Sequence, residues 1–267
     1  MKRFFSIIFL FFAVFSGLIL LKPHTKNITF SATTTPKLAI VIDDFGSFDE
    51  SGVSTLLSAN VPLTCAVLPN TDNTDKHLEL LKNTNHEIIL HMPMQSHVNL
   101  PDSWYGPVYI KNNDSPEMAT KKLKDCLISF PKIKGFNIHI GSGVSQNKTL
   151  MTAIYNFAKE NDLYFLDSRT IETKATEQAS KETNSIYLGR DVFLEADKNR
   201  SYQGVKFRLG QATTLAKEKG FAIAIGHVGA EGGENTAKAI LDMLPEIKNQ
   251  GVDIVPLSQI FENLKNK

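Results

Sequence analysis

Leu38-Ala39-Ile40-Val41-Ile42-Asp43-Asp44-Phe45-Gly46 is an unbroken apolar run that ends in two adjacent carboxylates. A short run without polar alternation, rich in β-branched residues, reads as a strand buried on both faces, and such strands belong to parallel sheets covered by helices. Runs of the same character recur at 64–68, 87–90, 134–138, 163–166, 186–194, 221–225 and 253–256. Between them lie segments with helical spacing of apolar residues, at 50–58, 74–83, 116–130, 150–160, 203–219 and 236–248. The helix from Pro116 has a legible start: Ser115 is placed to cap it, Pro116 fits the first turn, and Glu117 follows. Strand and helix in regular alternation predict an α/β fold, a distorted (β/α) barrel of seven or eight strands, with an open doubly wound sheet as the alternative of the same pattern.

The polar residues fall at one kind of place. Asp43 and Asp44 end the first strand, His91 the third, His139 the fourth, Asp167 the fifth and His227 the seventh, while Arg190 and Asp191 interrupt the sixth. In parallel barrels the carboxyl rim is where loops leave room for a ligand and where active sites form. Singly, each residue has a plain structural explanation, since carboxylates cap helices and a lone histidine is commonly a hydrogen-bonded core residue. Two adjacent carboxylates and three histidines on one rim point instead to a site.

The chemistry such a set suits is hydrolysis assisted by a divalent metal. Imidazole nitrogens and a carboxylate oxygen match zinc or a similar transition ion, and three protein ligands leave a position open for water. A further carboxylate can take the water's proton and a histidine can protonate the leaving group. Adjacent residues on a strand point in different directions, so one aspartate can bind the metal while the other remains a base.

The segments Ile42-Asp43-Asp44-Phe45-Gly46, His91-Met92-Pro93-Met94, Asn137-Ile138-His139-Ile140-Gly141-Ser142, Asp167-Ser168-Arg169-Thr170, Arg190-Asp191-Val192-Phe193-Leu194 and Gly226-His227 resemble, in order, the signatures of the divergent polysaccharide deacetylases. The resemblance implies a distorted barrel related to carbohydrate esterases that remove N- or O-acetyl groups, with one zinc-type ion held by an aspartate and two histidines. By position it makes Asp43 the catalytic base, Asp44 a metal ligand and His227 the general acid. His91 matches the first histidine of the pair found in true polysaccharide deacetylases, but the second, four residues on, is Gln95 here. His139 is taken as its replacement over nearby His97, because it ends the adjacent strand whereas His97 lies in a loop. Two residues depart from the commoner pattern of this branch, Gln95 in place of glutamate and Val228 in place of proline. Asp167, Arg169, Arg190 and Asp191 are expected either to bind substrate or to orient the ligands from behind, or else to form an ion pair closing the barrel end.

Lys2 and Arg3 precede an apolar run from Phe4 to Leu21, which reads as an export signal or membrane anchor with a cytoplasmic N-terminus. No small-x-small cleavage site follows Leu21 directly, which favours a retained anchor. Residues 22–36 form a polar tether, and 37–267 form one domain of about 230 residues. The chain is thus expected outside the cytoplasm, periplasmic or anchored to the outer face of the membrane, with envelope polysaccharide or peptidoglycan fragments as substrate. The alternative is an inactive barrel that binds or scaffolds cell-wall enzymes. A net charge of +1 with scattered basic residues excludes a nucleic-acid partner. Cys65 and Cys126 are too few and too far apart for a structural zinc site, and are expected to pack.

Weaker signals complete the reading. Trp104, Tyr105 and Tyr109 in the long loop after the third strand either stack on sugar rings or, the preferred reading, pin the loop to the barrel. The glycines from Gly229 to Gly233 either form an anion nest at the next helix or, as preferred, a flexible loop. Ser142 lacks the sequence context of a serine nucleophile. A glycosidase pair of Asp43 and Asp191 would need a suitable separation and no metal.

Overall fold

The computed structural model describes residues 35–196 and 200–267. The apolar run 4–21 and, except for Thr35 and Pro36, the tether lie outside the described residues. Among the described residues no helix is long and apolar enough to cross a membrane.

The chain alternates as expected: β1 (Lys37–Phe45), α1 (Val53–Leu57), β2 (Thr64–Val67), α2 (Thr74–Lys82), β3 (Glu87–Met94), α3 (Pro116–Leu127), β4 (Gly135–Ile140), α4 (Lys148–Glu160), β5 (Tyr164–Asp167), α5 (Ala175–Glu182), β6 (Leu188–Gly189), β7 (Val192–Phe193), α6 (Tyr202–Lys219), β8 (Phe221–His227), α7 (Gly233–Asn249), β9 (Asp253–Ile254) and α8 (Leu257–Lys265). Ser115 caps α3 by accepting from the Met118 amide at 3.2 Å, as its position before Pro116 predicts. Helices α5 and α8 are additions to the sequence reading.

Every strand pairing is parallel, in the order β6-β5-β4-β3-β2-β1-β8-β7, with β9 beside the start of β1. The expected sixth strand at 186–194 is two strands. Its first half, β6, pairs with β5, and its second half, β7, pairs with β8. The two edge strands of the curled sheet are therefore separated in sequence by only Arg190 and Asp191, which carry the chain from one edge to the other.

Strand alternation then sorts the side chains. Ala39 and Val41 of β1, Ala66 of β2, Ile89 of β3, Tyr164 and Leu166 of β5, Leu188 of β6 and Ile223 and Ile225 of β8 fill the barrel interior. Their neighbours in sequence, such as Leu38, Ile40 and Ile42 or Phe136 and Ile138, face outward to the helices. Full burial of one such aliphatic side chain stabilises the fold by about 1.5–3 kcal/mol, so this interior is a packed core and not a channel. Its lower end is closed by α8, whose Leu257 and Ile260 join the same cluster. The first amides of α8 are satisfied from the barrel: Leu257 donates to Thr64 Oγ1 at 2.9 Å and Ser258 to Glu87 Oε2 at 3.2 Å. The carboxyl rim of the barrel is left open for a site.

Candidate metal centre

Continuing the inward alternation by two residues past the core leads to Asp43 on β1, His91 on β3 and His227 on β8, while Asn137 and His139 alternate with outward Phe136 and Ile138 on β4. Asp44 has the wrong parity, and simple alternation would turn it away from Asp43. Instead its φ is 68°, a left-handed conformation that L-residues seldom adopt, at an irregularity in the β1–β2 register. The turn brings both carboxylates to one site, so the expectation that they diverge is corrected. A second costly conformation follows His139: Ile140, though β-branched, has φ 60°, with Gly141 at φ 64° behind it.

Asp44, His91 and His139 form a tight cluster. Asp44 Oδ1 lies 3.3 Å from His91 Nε2 and 3.1 Å from His139 Nδ1, and the two nitrogens are 3.1 Å apart. The outer nitrogen of each ring is committed. Asn137 Nδ2 donates to Asp43 Oδ1 at 2.7 Å, so Asn137 Oδ1 faces His91 and accepts from Nδ1–H, also at 2.7 Å. His139 Nε2–H donates to the Trp104 carbonyl at 3.1 Å. In the neutral rings the inner nitrogens are then lone pairs, one on each histidine, facing a carboxylate oxygen. Asp44 Oδ1 is buried and has no hydrogen-bond partner of acceptable geometry. Three acceptors converging without a donor favour a cation between them. Their spacing is close to the about 3.3–3.4 Å edge of a tetrahedron around an ion with zinc-like bond lengths. The residues present fit a zinc-type ion, with outer hydrogen bonds that fix both tautomers.

The two carboxylates draw positive charge to this cluster. Burial opposes ionisation of His91, but the charges of Asp43 and Asp44 outweigh it and raise its pKa above the ordinary value. Burial likewise opposes the Asp44 carboxylate, yet His139 and His91 beside it hold its pKa well below the usual range. Asp43 differs: burial prevails over His91 and His227, and its pKa is raised, which suits a proton acceptor.

Across the site His227 Nε2 lies 4.0 Å from Asp43 Oδ2. Its Nδ1 is 3.1 Å from Glu195 Oε2, while Glu195 Oε1 accepts from the His227 amide at 2.9 Å and from Thr236 Oγ1 at 2.6 Å. Burial disfavours the charged ring, but the hydrogen bond and charge of Glu195, with Asp44 and Asp43, push the His227 pKa up to about 10. Glu195 and Asn137 are functional candidates that the sequence reading did not single out. The glycines of 229–233 gain a specific role here. A Cβ on Gly232 would lie 2.6 Å from Glu195 Oε1 and 2.4 Å from the His227 carbonyl. The anion near the start of α7 is the protein's own Glu195.

The remaining predicted residues stand apart from the ligands. Asp167 accepts from the Arg169 amide at 2.8 Å and from Tyr187 OH at 3.0 Å. Asp191 does not pair with Arg190 but with Lys219, at 3.0 Å, and accepts from the Ile223 amide. The expected Arg190–Asp191 ion pair is therefore replaced by one that ties the Asp191 carboxylate to the end of α6 and to β8. Arg169 and Arg190 hold each other's carbonyls. Gln95 Oε1 accepts from the Asn112 amide at 2.7 Å and so braces a loop. His97 Nδ1 lies 2.8 Å from Ser142 Oγ. The loop aromatics divide: Tyr105 is buried, accepts from the Ser96 amide and stacks on Tyr109, whereas Trp104 is 60% exposed. Cys65 and Cys126 are free and buried in separate clusters, as packing residues.

A parallel (β/α) barrel with an Asp-His-His cluster on its carboxyl rim, flanked by a carboxylate and an imidazole, defines a deacetylase-like barrel with a candidate metal centre. The chain belongs to the divergent polysaccharide deacetylase family, whose sequence model matches residues 40–261. It is 32% identical over 197 residues to the uncharacterized protein YibQ of Escherichia coli, covering 72% of this chain and 58% of that protein. Among solved structures it is similar to the uncharacterized protein ATU2773 of Agrobacterium tumefaciens, with TM-score 0.75, 18% identity, and 86% and 91% of the two chains covered. The Bc1960 peptidoglycan N-acetylglucosamine deacetylase shares the fold with TM-score 0.52, 15% identity and coverages of 85% and 89%. So does BA3943 of Bacillus anthracis, a CE4 family pseudoenzyme, with TM-score 0.51, 11% identity and coverages of 85% and 66%.

Proposed function

We propose that this protein is a metal-dependent deacetylase that removes acetyl groups from a cell-envelope glycan, peptidoglycan or its fragments, outside the cytoplasmic membrane. The observation that carries the reading is the locked pair of imidazoles facing Asp44, with Asp43 on one side and the His227–Glu195 pair near it. Lys2, Arg3 and the apolar run to Leu21 support export.

Asp44 Oδ1, His91 Nε2 and His139 Nδ1 would hold the ion, zinc by the chemistry of the donors. Bound there, the ion supplies Lewis-acid activation of water and of the acetyl carbonyl. Asp43 Oδ1 is occupied by Asn137, which leaves Oδ2 to take the proton of the attacking water. His227 carries its proton at neutral pH because Glu195 backs the ring, and its Nε2 can give that proton to the departing amine or alcohol oxygen. The exposed Trp104 indole offers a face for a sugar ring beside the loop carbonyl that orients His139.

The test is acetate release from acetylated peptidoglycan and chitin-type fragments by the full chain and its Asp43→Asn, Asp44→Asn and His227→Gln variants, each assayed for bound metal. Asp43→Asn should keep the ion and lose about two to four powers of ten in rate. Asp44→Asn should lose the ion, and His227→Gln should keep it and slow amide substrates most. If metal-loaded wild type releases no acetate from any fragment while Asp43→Asn still serves the envelope, the inactive binding or scaffolding module replaces this reading.

A further inference from the structure

Arg169 and Arg190 occupy one wall of the same rim, and their positions are unusually constrained. Arg169 has φ 49°, an uncommon conformation for an L-residue. Its guanidinium passes over Gly189, where a Cβ would lie 2.7 Å from Arg169 Nε. Nε donates to Tyr187 OH at 3.2 Å and Nη1 to the Arg190 carbonyl at 2.9 Å. Arg190 answers with Nε to the Ser168 carbonyl at 2.7 Å and Nη2 to the Arg169 carbonyl at 2.8 Å. The two cations thus brace each other through neutral carbonyls.

Neither guanidinium forms an ion pair among the described residues, because the nearby carboxylates are committed elsewhere, Asp167 to the Arg169 amide and Tyr187, Asp191 to Lys219 and the Ile223 amide. Each guanidinium has five N–H donors and spends two, so three on each remain. The pair also borders the catalytic wall. The Arg190 guanidinium lies 4.9 Å from the centroid of the Phe193 ring, and that ring is 5.2 Å from the His227 ring. Two adjacent cations, held in a strained and glycine-accommodated arrangement with free forked donors, are built to meet an oxyanion.

The geometry points to Arg169 and Arg190 as an anion subsite beside the metal centre, so that the substrate is a glycan carrying a carboxylate or phosphate substituent near the acetyl group to be removed. This inference rests on the deacetylase reading for its substrate, but its binding test does not require turnover. Full-length protein in detergent is titrated with N-acetylglucosamine, N-acetylmuramic acid and N-acetylglucosamine 6-phosphate, followed by ligand NMR and by the arginine side-chain Nε resonances. The second and third sugars separate carboxylate from phosphate. An anionic sugar should bind about 10–100-fold more tightly than the neutral one, shift the Arg169 and Arg190 resonances, and lose its advantage in Arg190→Gln and Arg169→Gln. Arg190→Lys, which keeps the charge but not the fork, should recover only part of it.

Equal affinity of wild type for all three sugars overturns the subsite, as does an anion preference that leaves both arginine resonances unmoved. These wild-type readouts stand even where a variant fails to fold. Acetate release is measured on the same fragments. Acid preference without acetate removes the deacetylase reading and keeps the subsite, whereas acetate release without acid preference does the reverse.

Discussion

Asn137 joins His91 to Asp43 through a single side-chain amide, accepting from His91 Nδ1 and donating to Asp43 Oδ1, both at 2.7 Å. One residue therefore fixes the tautomer of a candidate metal ligand and the orientation of the candidate base. Asn137→Ala should weaken zinc binding by about 10–100-fold, the usual effect of removing an outer hydrogen bond from a ligating histidine. Competition with a chelating dye measures it. Unchanged affinity would mean that His91 does not depend on Asn137.

His139 and His97 provide an internal control. His139 Nδ1 faces Asp44 at 3.1 Å, while His97 Nδ1 is turned to Ser142 Oγ at 2.8 Å. His139→Ala should abolish stoichiometric binding of a zinc-type ion, and His97→Ala should leave it intact. Elemental analysis of the two purified variants decides, and the reverse pattern would move the centre to the loop.

The parts of this architecture that depend on local pattern are legible in the chain. The apolar run before Asp43 announces β1, and Asp167 and His227 end β5 and β8 as expected, because a buried strand needs no more than continuous apolar residues and a polar end. The joint turn of Asp43 and Asp44 into one site is not legible, since it depends on φ 68° at Asp44 and not on the alternation that sequence spacing encodes. Glu195 is two residues beyond Phe193, and with outward Val192 and Leu194 it has inward parity, a signal that lies just past the end of the apolar run at Leu194. Arg190 and Asp191 mark the interruption within 186–194, but the assignment of its halves to different partners is not legible, because both halves look equally strand-like while β5 and β8 lie near opposite ends of the sheet. Helix α5 escapes for a different reason: it buries only alanine, threonine and serine, so it has no large apolar stripe.

Gly232 makes room for Glu195, as a Cβ there would lie 2.4 Å from a backbone carbonyl and 2.6 Å from the carboxylate. Gly232→Ala should destabilise the protein by about 1–3 kcal/mol, the range for overpacking a filled space. Denaturant unfolding measures the loss. The variant should also slow acetate release more than it weakens metal binding, because Glu195 touches His227 and none of the three clustered ligands.

The His227–Glu195 pair sets a stability profile whose sign follows from the shift. The His227 pKa is pushed up from about 6.5 in the unfolded chain to about 10, against burial and by the Glu195 hydrogen bond and charge. A folded-state pKa above the unfolded value contributes stability that is complete below pH about 6.5 and is lost as pH rises toward 10. Asp44 acts at the other end, since its depressed pKa contributes stability present above pH about 4 and lost on acidification. Chelator-treated protein should therefore be most stable in mildly acidic solution, and its stability should fall between pH about 6.5 and 10 by an amount on the order of a few kcal/mol. Glu195→Gln should flatten that fall, because the neutral amide no longer favours the imidazolium. Urea unfolding at a series of pH values, on chelated wild type and Glu195→Gln, checks both statements. An equally steep decline in the variant would show that Glu195 does not hold the proton on His227.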